Sequence, residues 1–183
     1  MTCSSRFALG PLVLGCLLSF VSEAEAYSAS GTPDVQFTAS GPAGLQIIGK
    51  THDLSLREDG AQLVVRVPLA NLDTGISLRN KHMREKYLEV ERYPNAELTV
   101  ARGALQVPES GAAEGTADGS FTLHGVTKPA KFTYKVSRVA PSRLHVSGAL
   151  HVNFTEHGIS VPSYLGITVK PDVDVQVSFD AAE

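Results

Sequence analysis

The chain has 183 residues, with 16 Lys and Arg against 19 Asp and Glu for a net charge of −3, which is about one domain's worth of sequence with enough length to bury a sizeable core. That balance supplies no basic patch, so no nucleic-acid partner is expected.

Behind Arg6 comes the apolar run "FALGPLVLGCLLSFV" and then "SEAEA", with Ala24 and Ala26 as the small residues of an A-x-A cleavage site. This reads as a signal peptide over 1–26, too short for a membrane span, and predicts export to the periplasm of a protein that is not integral to the membrane. The alternative takes "VLGC" as a lipoprotein box acylated at Cys16, although the apolar run continues through Leu17, Leu18 and Phe20. Cleavage after Ala26 removes Cys3 and Cys16 together. The mature chain is then without a thiol, which excludes disulfides, CxxC redox chemistry and thiolate metal sites.

Residues 27–33 read as a short lead-in, and a β-barrel domain is expected over 34–183. From Asp34 on, apolar and polar residues alternate with period two, the mark of strands that bury one face. The first such stretch is "VQFTA". The next, "GLQIIGKT" at 44–51, matches the G-x-x-x-x-G-K-S/T pattern of phosphate-binding loops. Leu45, Ile47 and Ile48 favour a strand, however, and no helical period follows, so a strand ended by glycines is expected and no nucleotide. "LVVRVPL" alternates weakly. In "TGISLRNKHMREKYLEVERYP" the spacing changes: Arg79 and Met83, and Met83 and Tyr87, lie four apart, which predicts one short helix around Arg79 to Leu88 that ends before Pro94.

Alternation resumes in "ELTVAR", with Leu98 and Val100 on one face, and in "DGSFTLHG", with Phe121 and Leu123. "KFTYKV" turns Phe132 and Tyr134 to one side. "LHVSGALHVNF" does the same for Gly148, Leu150, Val152 and Phe154, and "DVDVQVSFD" for Val175 and Val177. Roughly eight strands joined by turn-rich stretches predict an all-β antiparallel barrel with the helix at one end.

Such a barrel either packs its own side chains or encloses a small ligand. Inward residues as small as Ala96, Ala117, Gly119 and Gly148 predict space, and an uncharged interior selects an apolar ligand through burial of roughly 25 cal/mol per Å². The residues expected to bind it are Leu98, Val100, Phe121, Leu123, Phe132, Tyr134, Gly148, Leu150, Val152, Phe154, Val175 and Val177, together with Arg79, His82 and Met83 from the helix. Against an outer-membrane barrel stand the absence of tryptophan, the lack of aromatic girdles and the internal helix. His145 and His151 share a strand face about 20 Å apart and hold no common ion. The histidines other than His82 read as solvent-facing, and Asp53, Glu58, Asp118 and Glu156 as solvated carboxylates. "NFT" at 153–155 is a glycosylation sequon by pattern only. No nucleophile elbow or Ser/His/Asp grouping occurs, so no enzyme and no metal are expected.

"LDTGISLRNKHMREKYLEVERYPNAEL", "GSFTLHGVTKPAKFTYKV" and "NFTEHGISVPSYLGITV" resemble, in this order, the YceI-like family of exported, lipocalin-like lipid-binding proteins. The specific stretches are Thr74 to Met83, Leu123 to Pro129 and Gly158 to Pro162. The resemblance implies an eight-stranded antiparallel barrel with a long apolar channel. It also implies a polyisoprenoid, isoprenoid quinone or other long-chain amphiphile as ligand, held without any cofactor or reaction, and it leaves a homodimer open. The opening "YSASGTPDVQFTASG" departs from the Y-x-I-D opening of many members. The competing readings are a ligand-free structural or stress-response barrel with a packed core and, third, a quinone-linked enzyme.

Overall fold

The computed structural model describes residues 27–164 and 167–182, so the expected signal peptide with Cys3 and Cys16 lies outside the described residues. In chain order the strands are β1 (Ser28–Ser40), β2 (Gln46–Thr51), β3 (Ser55–Asp59), β4 (Gln62–Pro68), β5 (Asn95–Ala101), β6 (Ala112–Leu123), β7 (Val126–Ala140), β8 (Arg143–Asn153), β9 (Ser163–Tyr164), β10 (Ile167–Thr168) and β11 (Asp172–Ala182). The helix α1 spans Ser77–His82 and continues as a π-helical turn through Met83–Tyr87. Nine strands form one antiparallel sheet in the order β2-β1-β11-β8-β7-β6-β5-β4-β3, while β9 and β10 pair apart from it. The sheet curls into a half-barrel.

Nine strands replace the eight expected because one edge position is shared. The second half of β1 pairs with β2, and β3 lies against β1 without ladder bonds. β3 escapes pattern reading because the position after inward Leu56 on the same face is Glu58, a charge where alternation calls for an apolar residue. The Glu58 side chain is only 10% exposed and accepts from Arg102 Nη1 at 2.7 Å and from the Tyr27 backbone N–H at 3.3 Å. It is therefore not a solvated carboxylate but a pin across the seam, where the Arg102 guanidinium also lies 4.9 Å above the Tyr27 ring. At the other end of the seam Lys50 and Asp73 exchange backbone hydrogen bonds of 2.8 and 2.9 Å. Residues 28–33, read from the sequence as a lead-in, are the beginning of β1, and Ser28 to Ser30 pair with β11 before the register shifts.

The phosphate-loop lookalike is β2, and its Lys50 N–H donates to the Asp73 carbonyl within this ladder-like pair. Gly49 has a packing reason. It faces Phe37 across β1 and β2, and a Cβ at Gly49 would stand 2.1 Å from the Phe37 ring. The β6–β7 turn is made by His124 and Gly125, both at positive φ (52° and 74°), as a two-residue hairpin turn requires.

The packed core fills one end of the half-barrel, with Tyr27, Leu63, Val100, Val136, Leu144, Phe179 and Ala181 all buried. The segment between β5 and β6 covers this floor: Leu105 and Val107 pack on the core, and the Gln106 N–H donates to the Tyr134 hydroxyl at 3.0 Å. Small inward residues on β6 do not leave the space expected of them. The Tyr134 ring lies over Gly115, Ala117 is buried opposite Phe132, and at Gly119 a Cβ would stand 2.7 Å from the Thr99 carbonyl and 3.3 Å from the Phe132 ring.

Gly119→Ala should therefore lower stability by about 1–3 kcal/mol, because backbone must move to admit the methyl. Gly103→Ala, where a Cβ meets nothing within 4 Å, should leave it within about 0.5 kcal/mol. Urea denaturation of both variants checks the pair, and equal midpoints would refute the packing account.

Candidate ligand cavity

Beyond the floor the inward faces no longer meet, and they enclose a cavity of about 720 Å³. Ligand pockets commonly measure about 300–1,000 Å³. Along β11 the lining runs from Val173 to Ala181, roughly 26 Å at about 3.3 Å per residue, so the space is elongated along the strands. Its walls are aliphatic and aromatic. Among the described lining residues the charged or ionisable cations are Arg79, His82 and Lys86, and no carboxylate is present.

These three sit on α1 and its π-helical continuation, at the end of the half-barrel opposite the floor. Residues 79, 82, 83, 86 and 87 recur at steps of three and four, so one helical face carries them all toward the cavity. An isolated helix of this length is not stable in water. A polar network holds it instead. Thr74 donates to Asn80 Oδ1 from its backbone N–H (2.9 Å) and from its hydroxyl (2.7 Å), and Asn80 Nδ2 donates to Asp73 Oδ1 at 2.6 Å. Arg79 clamps the same turn, with Nε on Thr74 Oγ1 at 2.7 Å and Nη2 on the Thr74 carbonyl at 2.6 Å. The Asp73 carboxylate also accepts from the Gly75 N–H at 2.8 Å. That backbone bond, followed by the Asn80 amide, holds Asp73 below the ordinary aspartate value.

Every residue expected at the ligand lies on the cavity wall. β5 supplies Leu98 and Val100, β6 Phe121 and Leu123, β7 Phe132 and Tyr134, and β8 Gly148, Leu150 and Val152. Phe154 follows β8, Val175 and Val177 come from β11, and Arg79, His82 and Met83 from the helical segment. Val100, Phe132 and Tyr134 belong to the floor as well. Pattern reading missed Val35, Phe37 and Ala39 on β1, Ile47 on β2, Val65 and Val67 on β4, and Leu69, Leu72, Ile76 and Leu78 before and within α1. The strand residues among them carried the signal, in "VQFTA" and "LVVRVPL", over runs too short to stand out. Gly148 is less crowded than Gly119: a Cβ there would meet the Thr133 carbonyl closely at 3.3 Å and Val177 Cγ2 at 3.5 Å.

The histidines divide. His145 and His151 point outward and pair separately across the β8–β11 ladder, each 2.8 Å from its own aspartate, Asp180 and Asp174. The bond from Asp174 raises the His151 pKa above its ordinary value. His124 and His157 are not solvent-facing as expected. His157 is buried, donating from Nδ1 to the Val126 carbonyl at 2.9 Å with its ring edge-on to Phe121. His124 packs at 4.4 Å on the Tyr93 ring with Nε2 3.5 Å from Glu89. Both sit in turns folded back on the sheet, where alternation gives no guide to facing. Asn153 of the sequon uses its side chain locally, accepting from the Thr155 N–H and donating to Asp172 at 3.1 Å each.

A family model for the YceI-like domain matches residues 28–181, and the chain belongs to that family. A UPF0312 protein of Pseudomonas savastanoi pv. phaseolicola is 28% identical over 133 residues, which cover 69% of this chain and 65% of that protein. The chain thus spans just under two thirds of the curated relative's length. A UPF0312 protein of Photorhabdus laumondii is 39% identical over 66 residues, covering 36% of this chain and 32% of its own. Among solved structures, a polyisoprenoid binding domain from Saccharophagus degradans has the same fold, with a TM-score of 0.72 at 19% identity over 86% of this chain and 98% of the other. So does BcnA of Burkholderia cenocepacia, with a TM-score of 0.62 at 15% identity over 80% and 95% of the two chains.

Asn80→Ala should strip the helix of its three shared bonds, at a cost of about 1–3 kcal/mol by denaturant titration, with faster amide exchange in 74–88 than in the floor strands. Because the folded Asp73 pKa is depressed, its contribution is fully present above the ordinary aspartate value. It should be lost as pH falls from that value through the lowered one. The protection of amides in 74–88 relative to their intrinsic exchange should fall over that window in the parent and stay flat in Asp73→Asn; identical profiles would remove Asp73 from the network's pH response.

Proposed function

Because the chain is a YceI-like domain with an apolar cavity, we propose that it binds and carries a long-chain apolar ligand: a polyisoprenoid, an isoprenoid quinone or a fatty-acid-like amphiphile. The observation that carries this reading is the cavity itself, elongated along the strands, apolar on its walls and, among the described lining residues, cationic only at the α1 end. A hydrocarbon chain fits that distribution of polarity, with its polar head at α1 and its tail toward the floor. The neighbouring fold described as a polyisoprenoid binding domain supports the same ligand class. Binding by burial requires no cofactor and no covalent step, so the protein acts as a carrier and not as an enzyme. It does so in the periplasm after removal of 1–26, a reading supported by the "AEA" site. N-terminal sequencing of exported protein should begin at Tyr27, and an acylated Cys16 in its place would make the protein a lipoprotein.

Each methylene buried contributes about 0.8 kcal/mol, so affinity for a homologous series of amphiphiles should rise roughly fourfold per methylene until the cavity is full and then level off. Gly148→Leu adds a branched side chain to the cavity wall and should abolish uptake of the longest members while the protein remains folded. Thr133→Leu, on the exposed outer face, should leave uptake unchanged. Fluorescent-probe displacement and thermal midpoints measured together check this. No uptake of any chain length by the parent, with a large fall in midpoint for Gly148→Leu, would leave a barrel that carries nothing.

A further inference from the structure

The mouth of the cavity is the least ordinary surface of the molecule. Leu45, Ile76 and Leu78 line the cavity and are also 38%, 52% and 58% exposed, so they form an apolar rim that faces water. Leu45 follows the end of β1, and Ile76 and Leu78 open the helical segment. Topology brings these pieces together, since β2, which begins at Gln46, is bridged to Asp73 through Lys50. Val161, also exposed, adjoins Pro162 on the same lining. Cations lie on the same segments as the rim. Lys81 and Lys86 are exposed on the helical segment, and exposed Lys170 donates its backbone N–H to the Ser40 carbonyl at 2.7 Å, beside the Leu45 turn. Residues 77–88 carry Arg79, Lys81, Arg84 and Lys86 against Glu85 alone, in a chain whose net charge is −3.

An apolar rim with lysines on the same segments is the surface that an anionic bilayer accepts, with side chains entering the acyl boundary and ammonium groups at the phosphates. We propose that the mouth docks on a bilayer containing anionic lipid, with Leu45, Ile76 and Leu78 inserted and Lys81, Lys86 and Lys170 at the headgroups. The cavity then opens directly onto the hydrocarbon, and an apolar molecule passes between bilayer and cavity without crossing water. The proposal adds a surface to the carrier reading and depends on that reading only for its purpose.

The test is local, so that an apolar leader does not obscure it. In the full chain with Cys3 and Cys16 replaced by Ser, an environment-sensitive bimane is placed at Leu78→Cys and, separately, at Ser142→Cys in the β7–β8 turn at the floor end. Vesicles of phosphatidylcholine mixed with phosphatidylglycerol should shift the Leu78 probe to the blue and leave the Ser142 probe unchanged. Lys81→Glu and Lys86→Glu, each made in the Leu78 probe protein, should weaken the shift roughly fivefold apiece, and added salt should weaken it too. An unshifted Leu78 probe, or equal shifts at both sites, would overturn the proposal. So would a shift that grows with protein concentration in the absence of vesicles, because a second copy would then cover the rim. Uptake of a long-chain probe in vesicle-free solution is read in parallel: uptake with no shift at Leu78 removes docking alone, whereas a shift without uptake supports docking and removes the carrier reading.

Discussion

Tyr134 lies flat over Gly115 because β6 has no side chain there, and its hydroxyl continues to the Gln106 amide in the segment that covers the floor. Ring and hydroxyl together make one contact serve two purposes, filling the barrel interior and fastening the cover across it. Phe132 repeats the packing against Ala117 and Gly119, and Phe37 against Gly49 on the far side of the sheet. A curled sheet with one apolar face has to bury that face against itself. Where the rings of Tyr134 and Phe132 meet the small residues of β6 the inner face is filled and that end is shut, whereas half-buried Phe37 stays on the cavity wall. Where the facing residues are branched aliphatics of moderate size, the walls stay apart. The cavity is therefore the remainder of a core that closes at one end only.

The open end is organised by different forces. α1 is too short to be stable by propensity and rests on Asp73, Thr74, Asn80 and Arg79, which satisfy one another and tie the helix to the segment before it. Asp73 has a second task, since its backbone is the bridge to Lys50 that ties the edge strand β2 to the segment following β4. Seam and helix thus share one residue. The Glu58–Arg102–Tyr27 cluster fastens the seam at the floor end, so the half-barrel is held shut by polar groups at both ends and by apolar packing in between.

Much of this was legible in the sequence because a period of two assigns each residue to a face without knowledge of its neighbours. The inward sets of β5 to β8 and β11 follow directly, and with them the wall from Leu98 to Val177. The helix followed from Arg79, Met83 and Tyr87, and the rejection of a phosphate loop from Ile47 and Ile48. What period alone does not contain is register. Gly115 and Tyr134 lie 19 positions apart, and only the pairing of β6 with β7 puts the ring on the glycine, so small residues that pattern reading counts as empty space are covered. β3 hid for a similar reason, because the charge on its inward face makes sense only once Arg102 and Tyr27 are known to meet it. His124 and His157 lie in turns, where neither period applies.

The two ends differ in how much disruption an opening causes. Separating strands at the floor exposes Leu144, Phe179 and Ala181 together with the rings packed on them, which approaches the cost of global unfolding. Releasing α1 breaks a handful of hydrogen bonds whose donors and acceptors water replaces, and it exposes residues of which Ile76 and Leu78 are already half in solvent. Regions with few buried apolar contacts open with the lowest free energies in a fold. The uneven distribution of apolar packing along the strands therefore makes α1 the easiest place for the cavity to open. Opening there would leave the sheet and floor intact, and Arg79, His82 and Lys86 would move with the element that yields.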